Sequence, residues 1–98
     1  MADTDIAVKT QVKLKQPTLF KVVLHNDDYT PMDFVIAILI QIFGKDTKEA
    51  EAIMLDVHKR GRGVAGVYAY EVASQKKTDT EGFARQFGHP LRMTLEPE

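Results

Sequence analysis

An α+β two-layer domain is what this sequence predicts: a three-stranded antiparallel sheet packed by three helices, in the order β-α-α-β-α-β. Three observations predict it. Short runs rich in β-branched or aromatic residues at Leu19–His25 and Val64–Val72, and the alternating run Leu91–Leu95, read as strands. Two helix-start signals, Thr30-Pro31 and Asp46-Thr47, stand between the first and second of these runs. Three strands cannot bury both faces of a sheet, so the helices must pack on it.

The elements follow in order. Residues 1–17 hold no aromatic residue and are dominated by Lys, Gln and Thr. Ile6, Val8, Val12 and Leu14 alternate weakly, as an edge strand would, but Pro17 closes the segment. It is expected to be a flexible tail with a reach of about 50 Å, leaving residues 18–98 as the folded domain. Leu19–His25 forms the first strand, and Asn26-Asp27-Asp28-Tyr29 forms a turn from residues that bond their own backbone. Thr30 is expected to cap the first helix, with Pro31 at its first position and Asp33 at its third. That helix is apolar nearly all round from Phe34 to Phe43, so it must be covered on most sides, and Gly44 ends it.

Asp46 or Thr47 caps a second helix running to about Arg60. Its apolar face is Ala50, Ile53, Met54 and Val57, and Gly61 and Gly63 end it. The second strand is expected over Val64–Val72. The third helix is expected over Ala73–Gly88, with Ala73, Phe83, Ala84 and Phe87 towards the core and Lys76, Lys77, Asp79 and Glu81 in water. His89-Pro90 breaks it, and Leu91–Leu95 is the last strand.

Composition bounds the function. The chain has 98 residues, enough for one domain. Its 13 basic and 14 acidic residues give a net charge of −1, which argues against nucleic acid as a partner. Lys59, Arg60 and Arg62 are the nearest thing to a basic patch. The absence of cysteine excludes a thiol nucleophile and thiolate metal sites. The longest apolar run, Phe34 to Ile40, falls far short of the roughly 20 residues that cross a bilayer, and the first residues do not resemble a signal peptide. A cytoplasmic protein is expected.

The densest polar cluster is Asn26-Asp27-Asp28, between a strand and a helix N-terminus. The plain reading is an ordinary turn. Catalysis by paired carboxylates is poorly supported, because adjacent aspartates need not converge and no nucleophile stands nearby. A metal site could draw on His25, Asp27, Asp28, His58 and His89, but their spacing follows no known pattern. Capture of a cationic group is the third possibility. An ammonium has three donors and wants converging acceptors, which the Asn26 amide, a carboxylate and a neutral imidazole could supply. His58 on the second helix shares a face with Met54, a polar tip beside an apolar patch. Its plain alternative is a surface histidine near a helix C-terminus.

Asn26-Asp27-Asp28-Tyr29-Thr30-Pro31-Met32-Asp33-Phe34-Val35 resembles the signature of the ClpS family, adaptors of the Clp protease for the bacterial N-end rule. Met54-Leu55-Asp56-Val57-His58 with Gly61, Gly66-Val67-Tyr68 followed by Glu71-Val72-Ala73 and Lys76, and His89-Pro90-Leu91 with Thr94-Leu95-Glu96 resemble its later motifs. The resemblance covers Leu19 to Glu96. It implies a monomeric, non-enzymatic adaptor without a cofactor or metal. Asn26, Asp27 and His58 would hold the α-amino group of a substrate's first residue. Asp28, Thr30, Pro31, Met32, Val35, Met54, Val57 and Leu91 would line a pocket for its side chain, accepting Leu, Phe, Tyr or Trp. Met32 would gate against β-branched residues. Glu71 and Lys76 would meet the N-terminal domain of a ClpA-type ATPase, and the tail would help hand the substrate over. The chain departs from the family pattern in the basic residues Lys59, Arg60 and Arg62 and in Ser74-Gln75. A general protein-interaction domain without a ligand pocket is the alternative.

Overall fold

The structure is a computed structural model and describes residues 18–98. The expected tail over residues 1–17 lies outside the described residues. Strand β1 (Leu19–His25) is the centre of the sheet, flanked by β2 (Arg62–Ala69) and β3 (Arg92–Pro97), both antiparallel to it, in the spatial order β2-β1-β3. Helix α1 (Met32–Gln41) and helix α2 (Thr47–Arg60) connect β1 to β2, and α3 (Tyr70–Gln86) connects β2 to β3. The element order and the two-layer architecture are as the sequence predicts.

Alternation along the strands tells the two faces of the sheet apart. Val22 and Leu24 of β1 and Met93 of β3 join the core. Lys21, His25, Arg62, Thr94 and Glu96 lie on the opposite, open face, where His25 Nε2 and Thr94 Oγ1 are 2.7 Å apart and Arg62 pairs with Glu96 at 2.6 Å. The register of β2 slips between Val22 and Val23, which face Gly66 and Val64, so Ala65 is the extra residue of a bulge. The slip explains why Ala65 and Gly66 are both buried while Val64 and Val67 are both exposed. At Gly66 a Cβ would collide with the ring of Tyr68, two residues on, so only glycine lets Tyr68 fold back over the strand.

Capping decides the helix boundaries. In α2, Asp46 accepts from the Glu49 N–H at 2.8 Å and the Glu49 carboxylate accepts from the Asp46 N–H at 3.3 Å, a complete capping box. The helix ends at Gly61, whose φ of 84° is the left-handed conformation glycine adopts without penalty. Helix α1 differs from expectation. Thr30 does not cap it; Pro31 is the capping residue, its carbonyl accepting from the Val35 N–H at 3.2 Å, and Asp33 falls at the second helical position. Thr30 instead donates its hydroxyl to Asp27.

Further differences concern β2 and α3. Gly63 belongs to β2, which starts two residues earlier than expected and ends at Ala69. Tyr70, Glu71 and Val72 are helical because the Tyr70 ring packs edge-on against Phe20 of β1, 5.3 Å between centroids. Ala73, Thr80 and Ala84 form the fully buried stripe of α3. Small side chains let this helix approach the sheet, and the Thr80 hydroxyl is satisfied by the Lys76 carbonyl at 2.6 Å. Phe83 and Phe87 remain exposed in part, Phe83 stacked on Phe34 and Phe87 tilted against it, at centroid distances of 5.7 Å each.

Lys76 and Glu81 are not free in water. Lys76 Nζ donates to the Ile42 carbonyl at 2.8 Å and sits over the Phe43 and Tyr68 rings. Glu81 takes Lys77 on one oxygen and the Met93 N–H of β3 on the other, both at 2.8 Å.

Candidate functional site

The turn after β1 is organised by one carboxylate. Asp27 Oδ1 accepts from the Tyr29 N–H at 2.8 Å and the Thr30 N–H at 2.7 Å, and Oδ2 accepts from the Thr30 hydroxyl at 2.8 Å. Partial burial pushes the Asp27 pKa up, but these bonds, helped by nearby His89, outweigh it and hold the acid below its ordinary value. Asp27 is therefore a fixed negative charge. A carboxylate offers about four lone-pair positions, so one acceptor position is left once the turn is made.

Asn26 is tied to the far side of the same mouth. Its backbone N–H donates to the Gly61 carbonyl at 3.0 Å, and the cross-strand pair His25–Arg62 lies directly beside this bond. Gly61 follows the last turn of α2, so Asn26 stands at the end of that helix that carries His58, three residues earlier. Both side chains are exposed. The chain thus brings an amide, a carboxylate and an imidazole from positions 26, 27 and 58 to one end of the molecule.

The apolar residues expected to line the pocket belong to the core. Val35 of α1, Met54 and Val57 of α2 and Leu91 at the entry to β3 are each under 5% exposed and belong to one contiguous cluster. Met32, the first residue of α1, is half-exposed at 50%, while Asp28 and Pro31 are exposed and Thr30 is half-buried. Met32 is the apolar side chain of this set that lies outside the core, proline aside.

Glu71 and Lys76 do not share a surface. Five residues apart, they are rotated by about 140° around α3. Glu71 is exposed in the first turn, whereas the Lys76 ammonium is engaged as described. Among the described residues no three His, Asp or Glu side chains gather as a metal-binding group, and no helix is long and apolar enough to cross a membrane.

The sequence offers His89 only as a helix breaker and one of five possible metal ligands, without placing it against Asp27 or Phe34. Its ring lies edge-on to Phe34 at 4.7 Å and close enough to Asp27 to help hold that carboxylate ionised. Nothing in the sequence signals this, because 62 positions separate Asp27 from His89.

Comparison with known proteins completes the description of the site. The family described as "ATP-dependent Clp protease adaptor protein ClpS" matches residues 15–94. The ATP-dependent Clp protease adapter protein ClpS of Rhodospirillum centenum is 52% identical over 95 residues, covering 97% of this chain and 88% of that protein. The protein of the same name from Parvibaculum lavamentivorans is 50% identical over 97 residues, covering 99% and 88%. A solved structure of Agrobacterium tumefaciens ClpS2 bound to L-phenylalaninamide superposes with a TM-score of 0.81 at 35% identity, covering 85% of this chain and all of that one.

Proposed function

The chain belongs to the ClpS family of adaptors of the ATP-dependent Clp protease, and on that premise we propose that it captures proteins by a free, bulky, apolar N-terminal residue. The observation that carries the reading is the ligand of the Agrobacterium relative. L-Phenylalaninamide is a free α-amine and a benzyl side chain with no acid at its other end, the chemistry of a protein's first residue. In this chain the acceptors that such an amine needs stand at one end of a cluster that can take its side chain.

Asn26 Oδ1, the remaining acceptor position of Asp27 and a neutral His58 are the three acceptors for the three ammonium donors. Val35, Met54, Val57 and Leu91 form the floor of the side-chain pocket. Asp28, Thr30, Pro31 and Met32 form its rim, and the half-exposed Met32 closes over the ligand. Burying a Phe or Leu side chain contributes roughly 1.5–3 kcal/mol. Each hydrogen bond to the charged amine adds roughly 1.5–3 kcal/mol, and association offsets part of the sum. An internal Phe brings the first contribution alone, so selection falls on residues that are both apolar and N-terminal. Leu, Phe, Tyr and Trp are the expected set.

Delivery follows from the family's role. Glu71, exposed at the start of α3, is the contact we assign to the N-terminal domain of a ClpA-type ATPase in the bacterial cytoplasm. Lys76 can join that contact only by leaving the Ile42 carbonyl.

Fluorescence anisotropy with two Phe-initiated peptides, one with a free amine and one acetylated, tests amine capture. Losing one charged hydrogen bond exceeds about 1.4 kcal/mol, so acetylation should weaken binding at least about tenfold. Equal affinity for the two peptides would refute it and favour a general interaction domain.

A further inference from the structure

The basic run Lys59, Arg60, Arg62 plays no part in the amine site. Two residues apart on α2, His58 and Arg60 point about 200° apart, to opposite sides of the helix. The turn at Gly61 then sends Arg62 back alongside Arg60. Both line a cavity of about 430 Å³ at the rim of the open sheet face, together with Lys21, Asp56, Gly63 and Val64. Three cations thus line the cavity with one carboxylate, and Glu96, opposite Lys21 on β3 and bound to Arg62, supplies a second beside it, which leaves a net positive patch in a protein whose net charge is −1. Arg60 Nε is 3.9 Å from Asp56, and Arg62 is bound to Glu96. Lys21 forms no ion pair among the described residues. On the same face Arg92 and Arg62 help burial to hold the His25 pKa below its ordinary value, as a positive local field does.

The backbone beside the cavity is also available. β2 and β3 are the two edges of the sheet. The β3 edge is guarded, since Glu81 occupies the Met93 N–H. Among the described residues no side chain bonds a backbone group of β2, and no strand pairs with its outer edge. A strand laid along that edge would make ladder hydrogen bonds and set alternate side chains over the cavity.

We propose that the outer edge of β2 and the cavity of Lys21, Arg60 and Arg62 form a second binding surface, which takes an extended acidic segment of a partner protein. Charge complementarity selects the acidic side chains, and the open edge selects an extended backbone over a small anion. The surface is independent of amine capture. Cations on a bare edge also discourage sheet-to-sheet pairing, and the test separates that role from binding.

The probe is a fluorescein-labelled, N-acetylated octapeptide of alternating Glu and Val, whose blocked amine keeps it from the first site. Anisotropy with the full chain should give saturable binding in 50 mM NaCl that falls several-fold at 300 mM. Lys21→Gln and Arg60→Gln should each weaken it about two- to fivefold, while a free-amine Phe peptide binds both variants like the parent. Three results overturn the proposal: no saturable binding, equal binding of a Lys-Val octapeptide, or variants that aggregate without losing affinity for the Glu-Val peptide. Complete displacement by inorganic pyrophosphate at equal concentration would overturn the extended-strand part and reassign the cavity to small anions.

Discussion

Asp27 builds its turn with one carboxylate, and the amine contact proposed for it can be separated from that structural role by measurement. Its three hydrogen bonds fold the turn that carries Asn26 and Met32 into position. Asp27→Ala should therefore lower stability by about 1–2 kcal/mol in urea denaturation, and an unchanged midpoint would show that the turn holds without it. Because its folded pKa is lowered, its contribution is present above the ordinary carboxylate range and disappears as pH falls through the folded value. The gate proposed at Met32 would work by bulk alone. Met32→Ala should admit peptides beginning with Ile or Val while keeping those beginning with Phe. If the β-branched peptides still fail to bind, the gate lies elsewhere. Of these residues, the sequence made legible the types and the company they keep. It could not reveal that His89 stands beside Asp27, because that contact crosses the fold, whereas the bonds that use three of Asp27's acceptor positions are local to the turn.

At the scale of elements, local signals were legible where they were strong. The β-branched run of β1 and the Asp46-Thr47 start signal gave their boundaries within a residue. The junction of β2 and α3 was misread because Tyr70-Glu71-Val72 favours extension and Ala69 offers no side-chain cap. The helix starts there for a tertiary reason, the packing of Tyr70 on Phe20. Lys76 was misread for a similar reason: its spacing suggests a solvated face, but α1 ends close by and presents a bare carbonyl. Lys76→Met keeps the stem and removes the donor, leaving the Ile42 carbonyl unpaired beneath two aromatic rings. A loss of about 1–3 kcal/mol in chemical denaturation is expected. Glu71→Lys should leave stability unchanged and abolish ATPase binding. Were the Lys76→Met protein as stable as its parent, the lysine would be a surface contact after all.

At the scale of the whole molecule, the open sheet face adds a second acid-sensitive group to Asp27. His25 is held below its ordinary pKa by burial first, then by Arg92 and Arg62, with Glu96 offsetting part of the effect. A histidine depressed in the folded state contributes stability that is complete above its unfolded pKa, about 6.5, and declines as pH falls below it. His25→Gln should thus shrink the drop in melting temperature between pH 7.5 and 5. An equal drop in both proteins would assign the acid loss to other groups. The single bond from Asn26 to Gly61 has a wider consequence. It joins positions 35 residues apart, and the candidate floor extends to Leu91, so the recognition surface is a property of the completed topology and of no fragment. The ligand proposed above would therefore bind only molecules that have finished folding.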